Sequence, residues 1–570
     1  MNPSPRSFGR IASLAVLAAF LISANGMFAQ STNRQVGTQL TATADPVVPR
    51  PHEQPCVVPL FSNYQFAHFS DSTQTFQFTP PEKCPGPWEK VVLEADFSEN
   101  AGVQFDRTAS IFLANANIYF GTTPEPLSTA TNTWHVERDL TDYSSLLTTP
   151  QQGTIVLANC TSDCGAPYNT LNGVFTVNAD LEFYPARRNS RDRDDNSEQK
   201  APDQVLPLVQ SNGSGGINLP AGLFSPSDQL STTFTLPTNI ERVYLDVVSQ
   251  SQSTDEQWYA CFPNDLSSIN EVYGCGNTDF RETEVTIDGQ PAGIAPVSPW
   301  VYTGFLPDQW VPTPAAQTLD FVPYRVNLTP FAGLLSNGQP HTIALSVFND
   351  DSYFSATGSL LLYLDAGAKQ VNGAVTKNTL ANPAPVVSEN LQGTSTVTGT
   401  IKVASHRNFT IAGYVNTSHG KVKTSVSERQ DFSSTQTIDF DTVNATVLNQ
   451  KTAVNNRVSS TTTVSGGEGT LVRHNDFSFP IKVNFVYPVS SATFGFTVAT
   501  GQNYSANHLV TRDGHVIDFS GATNSVNATD VSPAASSQRY TYFDAHSPLY
   551  DCSIASANNV LSSVSRGCKR

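Results

Sequence analysis

The sequence predicts an all-β protein built from sandwiches, and three observations carry that prediction. Short runs of β-branched and aromatic residues recur along the whole chain, each bounded by Gly, Pro or Asn. Almost no segment holds a helical period for three turns without a Pro or a Gly. The chain has 33 Phe, 18 Tyr and 39% hydrophobic residues against only 14% charged, too apolar a balance for disorder. Many short strands separated by frequent turns are the pattern of sandwiches rather than of α/β units.

Taken in order, the elements divide the chain. Arg6 and Arg10 precede the apolar run Ile11 to Ile22 and the small residues up to Ala29, the pattern of a secretory signal peptide cleaved after Ala29. The run is short for a membrane span, and an uncleaved anchor is the alternative. The expected destination is outside the cell or the periplasm, with no membrane attachment after cleavage. Strand runs at Val91–Phe97, Ser110–Leu113, Thr154–Leu157 and Val174–Val177 define a first β-domain over about 45–185. Residues 186–204, with Arg187, Arg188, Arg191, Asp192, Arg193, Asp194 and Asp195, are dense in charge and lack large apolar side chains, so they read as a flexible linker. A second β-domain follows over 205–366, with runs at Arg242–Val247, Glu284–Ile287 and Thr342–Val347. From 370 to 570 Ser, Thr, Val and Asn alternate with few aromatics, as in a Ser/Thr-rich antiparallel region. At 570 residues the chain has room for roughly three or four such domains.

Charge and cysteine content narrow the function. A net charge of −17 argues against nucleic acid, whose phosphates need a basic face. Export makes disulfides the expected state of the eight cysteines. Sequence-local pairing, Cys56 with Cys84, Cys160 with Cys164, Cys261 with Cys275 and Cys552 with Cys568, is the simplest of many connectivities. Cys160 and Cys164 have no second Cys or His pair nearby to complete a zinc site. The scattered His residues follow no metal-binding spacing, so neither metal nor other cofactor is expected. No Gly-x-Ser-x-Gly elbow appears, which disfavours an α/β serine hydrolase. Sequons begin at Asn212, Asn327, Asn408 and Asn444.

Two stretches are unusually specific. The first is Val103-Gln104-Phe105-Asp106-Arg107-Thr108-Ala109-Ser110, followed by Trp134-His135-Val136-Glu137-Arg138-Asp139. The second is Asp255-Glu256-Gln257-Trp258-Tyr259, then Phe280-Arg281-Glu282-Thr283-Glu284, Pro299-Trp300-Val301-Tyr302, Gln309-Trp310 and Pro323-Tyr324-Arg325-Val326. Together they resemble the peptide N-glycosidase A family of glycoamidases over most of 55–366. Asp106-Arg107 at a strand start and Leu236-Pro237-Thr238-Asn239-Ile240 are more distantly similar to peptide N-glycosidase F. That resemblance implies two eight-stranded jelly-roll sandwiches with the active site in the cleft between them, and Asp106 as the principal catalytic carboxylate. The two supporting glutamates of that pattern fall near Asn159 and Asn277, which become candidate substrate-binding residues. The second carboxylate is left open between Glu256 and Glu282.

The residue types suit the chemistry on their own terms. Hydrolysing the amide between an Asn side chain and N-acetylglucosamine needs a carboxylate to activate water, a group worth about 10²–10⁴-fold. Arg107 can hold Asp106 or bind the developing oxyanion; the alternative for the pair is a plain strand-start ion pair. Trp258, Trp300 and Trp310 lie in Pro- and Gly-rich surroundings and can either stack on sugars or pack between sheets. The expected function is a secreted hydrolase that deglycosylates N-glycopeptides or glycoproteins. A non-catalytic carbohydrate-binding or adhesion sandwich is the alternative, since jelly rolls also serve lectins. A glycosidase would need two carboxylates about 5–10 Å apart about a glycosidic bond.

Overall fold

The computed structural model describes residues 34–45, 48–51, 53–186, 200–266, 275–303, 311–394, 396–441, 447–466, 469–488, 497–529, 535–544 and 549–568. The expected signal peptide, most of the charged linker, Trp310 and the sequon at Asn444 lie outside them. Among the described residues no helix is long and apolar enough to cross a membrane. They form five sheets, and the pairing within each is antiparallel.

Two four-stranded sheets make the first sandwich. One runs, in spatial order, Cys56–Phe66, Phe175–Pro185, Trp88–Glu99, Asn132–Asp139; the other runs Thr73–Phe78, Gln151–Leu157, Thr108–Leu113, Ala116–Thr122. Alternation places Val91, Leu93, Ala95 and Phe97 on one face of their strand, where they join Trp134, Tyr119, Phe175 and Phe183 in one core. The second sandwich pairs a sheet holding Leu230–Thr235, Pro340–Phe348, Glu282–Ile287 and Gln290–Pro296 with one holding Phe354–Leu364, Ile240–Ser251 and Tyr324–Asn327.

The remainder is a twelve-stranded sheet whose longest hairpin, Thr396–Thr417 with Gly420–Asp441, stays in register along its whole length. Its apolar face shares a core with the second sandwich: Phe432 lies 6.1 Å from Trp258 and 4.9 Å from Phe280, and Phe440 lies 5.5 Å from Phe262. An N-terminal strap crosses the molecule. Gly37 donates to the Leu561 carbonyl at 2.8 Å, Thr41 N–H to Asn132 Oδ1 at 2.9 Å, and Arg50 bonds Glu94, Glu137 and Glu182 of the first sandwich. The eight cysteines form four disulfides, Cys56–Cys84, Cys160–Cys164, Cys261–Cys275 and Cys552–Cys568.

Candidate active site

Asp106 lies in the segment between the strand ending at Glu99 and the strand starting at Thr108. Its neighbour Arg107 is fixed by two backbone bonds: Arg107 N–H donates to Thr123 Oγ1 and Thr123 N–H to the Arg107 carbonyl, both at 2.8 Å. The next residue is at the seam between the sandwiches, where Gln252 Nε2 donates to Thr108 Oγ1 at 2.8 Å and Thr108 Oγ1 to Gln250 Oε1 at 3.2 Å. From the other side Thr303 Oγ1 donates to the Thr123 carbonyl. Asp106 therefore lies beside a hydrogen-bonded seam between the two sandwiches, and ligand sites occur preferentially at such interfaces.

The Arg107 guanidinium is tied down in turn. Nη2 donates to Gln104 Oε1 at 2.7 Å and Nε reaches Asn159 Oδ1 at 3.4 Å. Asn159 Nδ2 donates to the carbonyls of Phe66 and Gly173 at 2.8 and 3.0 Å, so its amide is oriented with the oxygen toward the arginine. Burial lowers the Arg107 pKa, while the charges of Asp106, Glu99 and Glu125 push it back up.

Glu256 approaches from the second sandwich. It follows the short turn Ser253–Asp255, and three sets of bonds hold that turn. Ser251 Oγ donates to the Glu256 carbonyl at 3.2 Å. Asp255, fully buried, pairs with fully buried Arg281 at 2.7 Å. The other Asp255 oxygen accepts the N–H groups of Asp351, Ser352 and Tyr353 at 2.9, 2.6 and 3.3 Å. Burial and then the charge of Asp106 push the Glu256 carboxyl up to about 8, while a bond from Gln257 Nε2 at 2.7 Å pulls it down. Tyr302, whose hydroxyl lies 3.0 Å from Ser251 Oγ, also feels Glu256 and Asp106. Asp106 with its arginine and a Glu256 whose burial favours the neutral acid thus lie near enough to influence each other, a combination that can run base and acid steps together.

The other expected residues separate. Glu282 is fully buried and faces the long hairpin, where Arg407 Nη2 lies 3.4 Å from it and Glu428 feels its charge. Trp258 is 0% exposed and packs on Tyr259 and Phe432; Trp300 packs on Phe479 and Tyr504. Both are core side chains with no ring face open to a sugar. Asn277 ties its loop to the 350–351 turn, accepting from Asn264 Nδ2 at 3.1 Å and donating to the Asp350 carbonyl and Asp351 at 3.3 Å. Two other aromatics lie exposed beside Asp106. Phe105 and Tyr168, 44% and 52% exposed, meet edge to face at 5.6 Å.

Two further acids, Glu99 and Glu125, feel the same cluster and are absent from the sequence reading. Glu99 could have been found. It continues the inward series Val91, Leu93, Ala95, Phe97, so a carboxyl occupies an apolar slot. Elsewhere a cavity of about 510 Å³, lined by His135, Arg138, Asp142, Asp246, Asp320 and Arg325, contains none of the expected residues. Glu94, His135 and Glu137 have atoms close enough to share a metal ion. Arg50, which donates to Glu94 and Glu137, already supplies their positive charge.

The sequence matches the family described as peptide N-acetyl-beta-D-glucosaminyl asparaginase amidase A over residues 46–381. The chain belongs to that family. A relative from Prunus dulcis, named peptide-N4-(N-acetyl-beta-glucosaminyl)asparagine amidase A, is 28% identical over 424 residues, covering 72% of this chain and 71% of the relative. Two solved structures of PNGF-II align at TM-scores of 0.35 and 0.34 with 11% and 12% identity. The aligned parts cover 55% of this chain and 66% and 65% of those chains. The match to the amidase A family spans both sandwiches, and hence Asp106, Arg107 and Glu256 together.

Proposed function

We infer that this protein is a glycoamidase that hydrolyses the bond between an Asn side chain and the innermost N-acetylglucosamine of N-glycopeptides. The observation that carries the reading is that Asp106 and Arg107 lie at the bonded seam between the sandwiches, near enough to Glu256 that burial and the charge of Asp106 push its carboxyl up. In the proposed reaction Asp106 takes a proton from water as its oxygen adds to the side-chain carbonyl carbon. Arg107 compensates the charge that develops on the carbonyl oxygen. Glu256 gives its proton to the departing nitrogen as the C–N bond breaks. The peptide keeps an Asp, and the glycan leaves as a glycosylamine. Phe105 and Tyr168 provide the stacking surface for the sugar.

Several finer readings belong to the same proposal. Both sandwiches are jelly rolls, supported in the first by its two sheets of strands 1-8-3-6 and 2-7-4-5 in chain order. The domains are 45–185, 205–366 and 370–570, joined first by the 186–204 linker, and the protein is secreted or periplasmic after loss of residues 1–29. A sugar-binding module without catalysis has no use for a buried carboxyl raised by burial and by a second carboxylate, which favours the enzyme. The test is to incubate the purified protein with a defined N-glycopeptide and weigh both products. Free glycan together with an Asn-to-Asp mass change is expected. Unchanged glycopeptide would overturn the reading, and a truncated glycan still attached to Asn would replace it with a glycosidase.

A further inference from the structure

We propose that Glu99 is a positioning residue of this site, a buried carboxyl that stays neutral so that the Arg107 guanidinium is not drawn away from Asp106. The proposal rests on the glycoamidase reading of Asp106 and Arg107. Glu99 is 0% exposed, and among the described residues neither of its oxygens has a hydrogen-bond partner. An ionised carboxylate in that state would lack any donor to replace water, which is costly, whereas the neutral acid is tolerated. Its surroundings are built closely. A methyl group placed on Gly173 would come 2.6 Å from both Glu99 Oε1 and Gln104 Cβ, so the glycine backbone is the floor on which the two side chains rest. The Gly173 carbonyl accepts from Asn159 Nδ2 at 3.0 Å and from Gln104 Nε2 at 3.3 Å. Asn159 and Gln104 are the two side chains that hold the Arg107 guanidinium.

The charged groups that Glu99 feels are Glu125, Arg107 and Asp106. Burial is the largest influence and Glu125 the next; together with Asp106 they outweigh Arg107 and push Glu99 up to about 9. Once ionised, Glu99 would become a third anion beside Asp106 and Glu125, all sharing one guanidinium. The attraction that holds Arg107 for Asp106 and the oxyanion would be divided. Proton loss from Glu99 therefore lowers turnover at alkaline pH, in addition to proton loss from Glu256.

The experiment compares wild type, Glu99→Gln and Glu99→Leu by kcat against pH on a defined glycopeptide. It also records the infrared carbonyl band of protonated carboxyl groups at neutral pH. Wild type is expected to lose activity at high pH with the steepness of two protons. Glu99→Gln, permanently neutral, should keep kcat at mildly acid pH to within about tenfold and lose activity with the steepness of one proton. Glu99→Leu fills an inward-facing slot with an apolar group and should behave alike, which keeps the test open if Gln fails to fold. The wild-type minus Glu99→Gln spectrum should contain one protonated-acid band. An unchanged pH profile in folded variants would overturn the positioning role. A missing infrared band would overturn the neutral state whether or not the protein releases glycan. Absence of glycan release from wild type with the band present would instead count against the glycoamidase reading, and with it the positioning role.

Discussion

Glu282 opens a strand in which Thr283, Val285 and Ile287 share one face, so its own side chain leaves on the other, toward the long hairpin. Burial pushes it up to about 8, and Arg407 lies 3.4 Å away. Glu256, on a turn at the end of its sheet, escapes that alternation and reaches the seam. The sequence offers the two glutamates as equals, and only the placement of a third sheet over the second sandwich separates them. This predicts a clean division among variants. Asp106→Asn and Glu256→Gln should each fold, bind glycopeptide and lose about 10²–10⁴-fold in kcat, because neither amide can carry the proton. Glu282→Gln should leave kcat near the wild-type value, since the acid it replaces is already neutral below about pH 8. Steady-state kinetics with circular dichroism checks all three. A Glu282→Gln enzyme that folds but is inactive would move the acid role away from Glu256.

The element that carries Glu256 depends on one buried ion pair. Arg281 bonds Asp255 through Nε and Nη2 at 3.1 and 2.7 Å and also reaches the carbonyls of Thr278, Gly276 and Phe280. Asp255 collects three further backbone N–H groups from the segment 351–353. Arg281→Met leaves Asp255 buried and without its cation, which should cost about 3–5 kcal/mol in stability. Chemical denaturation measures that loss, and a cost below about 1 kcal/mol would show that the turn stands without the pair. This element also marks how far the sequence can be read. Strand runs, the local cysteine pairs and the Asp106-Arg107 strand start were legible because each depends on residues near one another in the chain. The partnership of Asp255 with Arg281 and the covering of Trp258 by Phe432 depend on contacts 26 and more than a hundred residues apart. A tryptophan in a Pro- and Gly-rich loop looks exposed until the third sheet covers it.

Across the whole molecule, acids that burial has made reluctant to ionise set the response to pH. Glu99 is pushed up to about 9, Glu256, Glu282, Glu428 and Asp350 to about 8, and Asp320 to about 7, chiefly by burial in each case. Unfolded, the same groups titrate near 4 to 4.5, so unfolding releases their protons throughout the interval between. The stability they contribute is full below about pH 4 and is lost as pH rises toward 9. In His135 burial is the largest single influence and lowers the pKa, but the bonds to and charges of Asp96 and Glu137 together outweigh it and raise it to about 10, which adds to the same alkaline decline. Opposing them are carboxylates held below their usual range by bonds to basic or backbone groups, such as Asp288 beside His341 and Asp431 beside Arg429. Their contribution is present above about pH 4 and lost as pH falls through the folded values. The two sets leave a maximum on the acid side of neutrality. Calorimetric Tm should therefore peak near about pH 5 and fall continuously to pH 9. Replacing Glu428, buried against Arg407 and Glu282, by Gln should flatten the alkaline part of that curve by removing one of the released protons. A Tm that stays level or climbs from pH 5 to pH 9 would mean that these carboxyls are ionised in the folded protein, and that Glu256 has no proton to give.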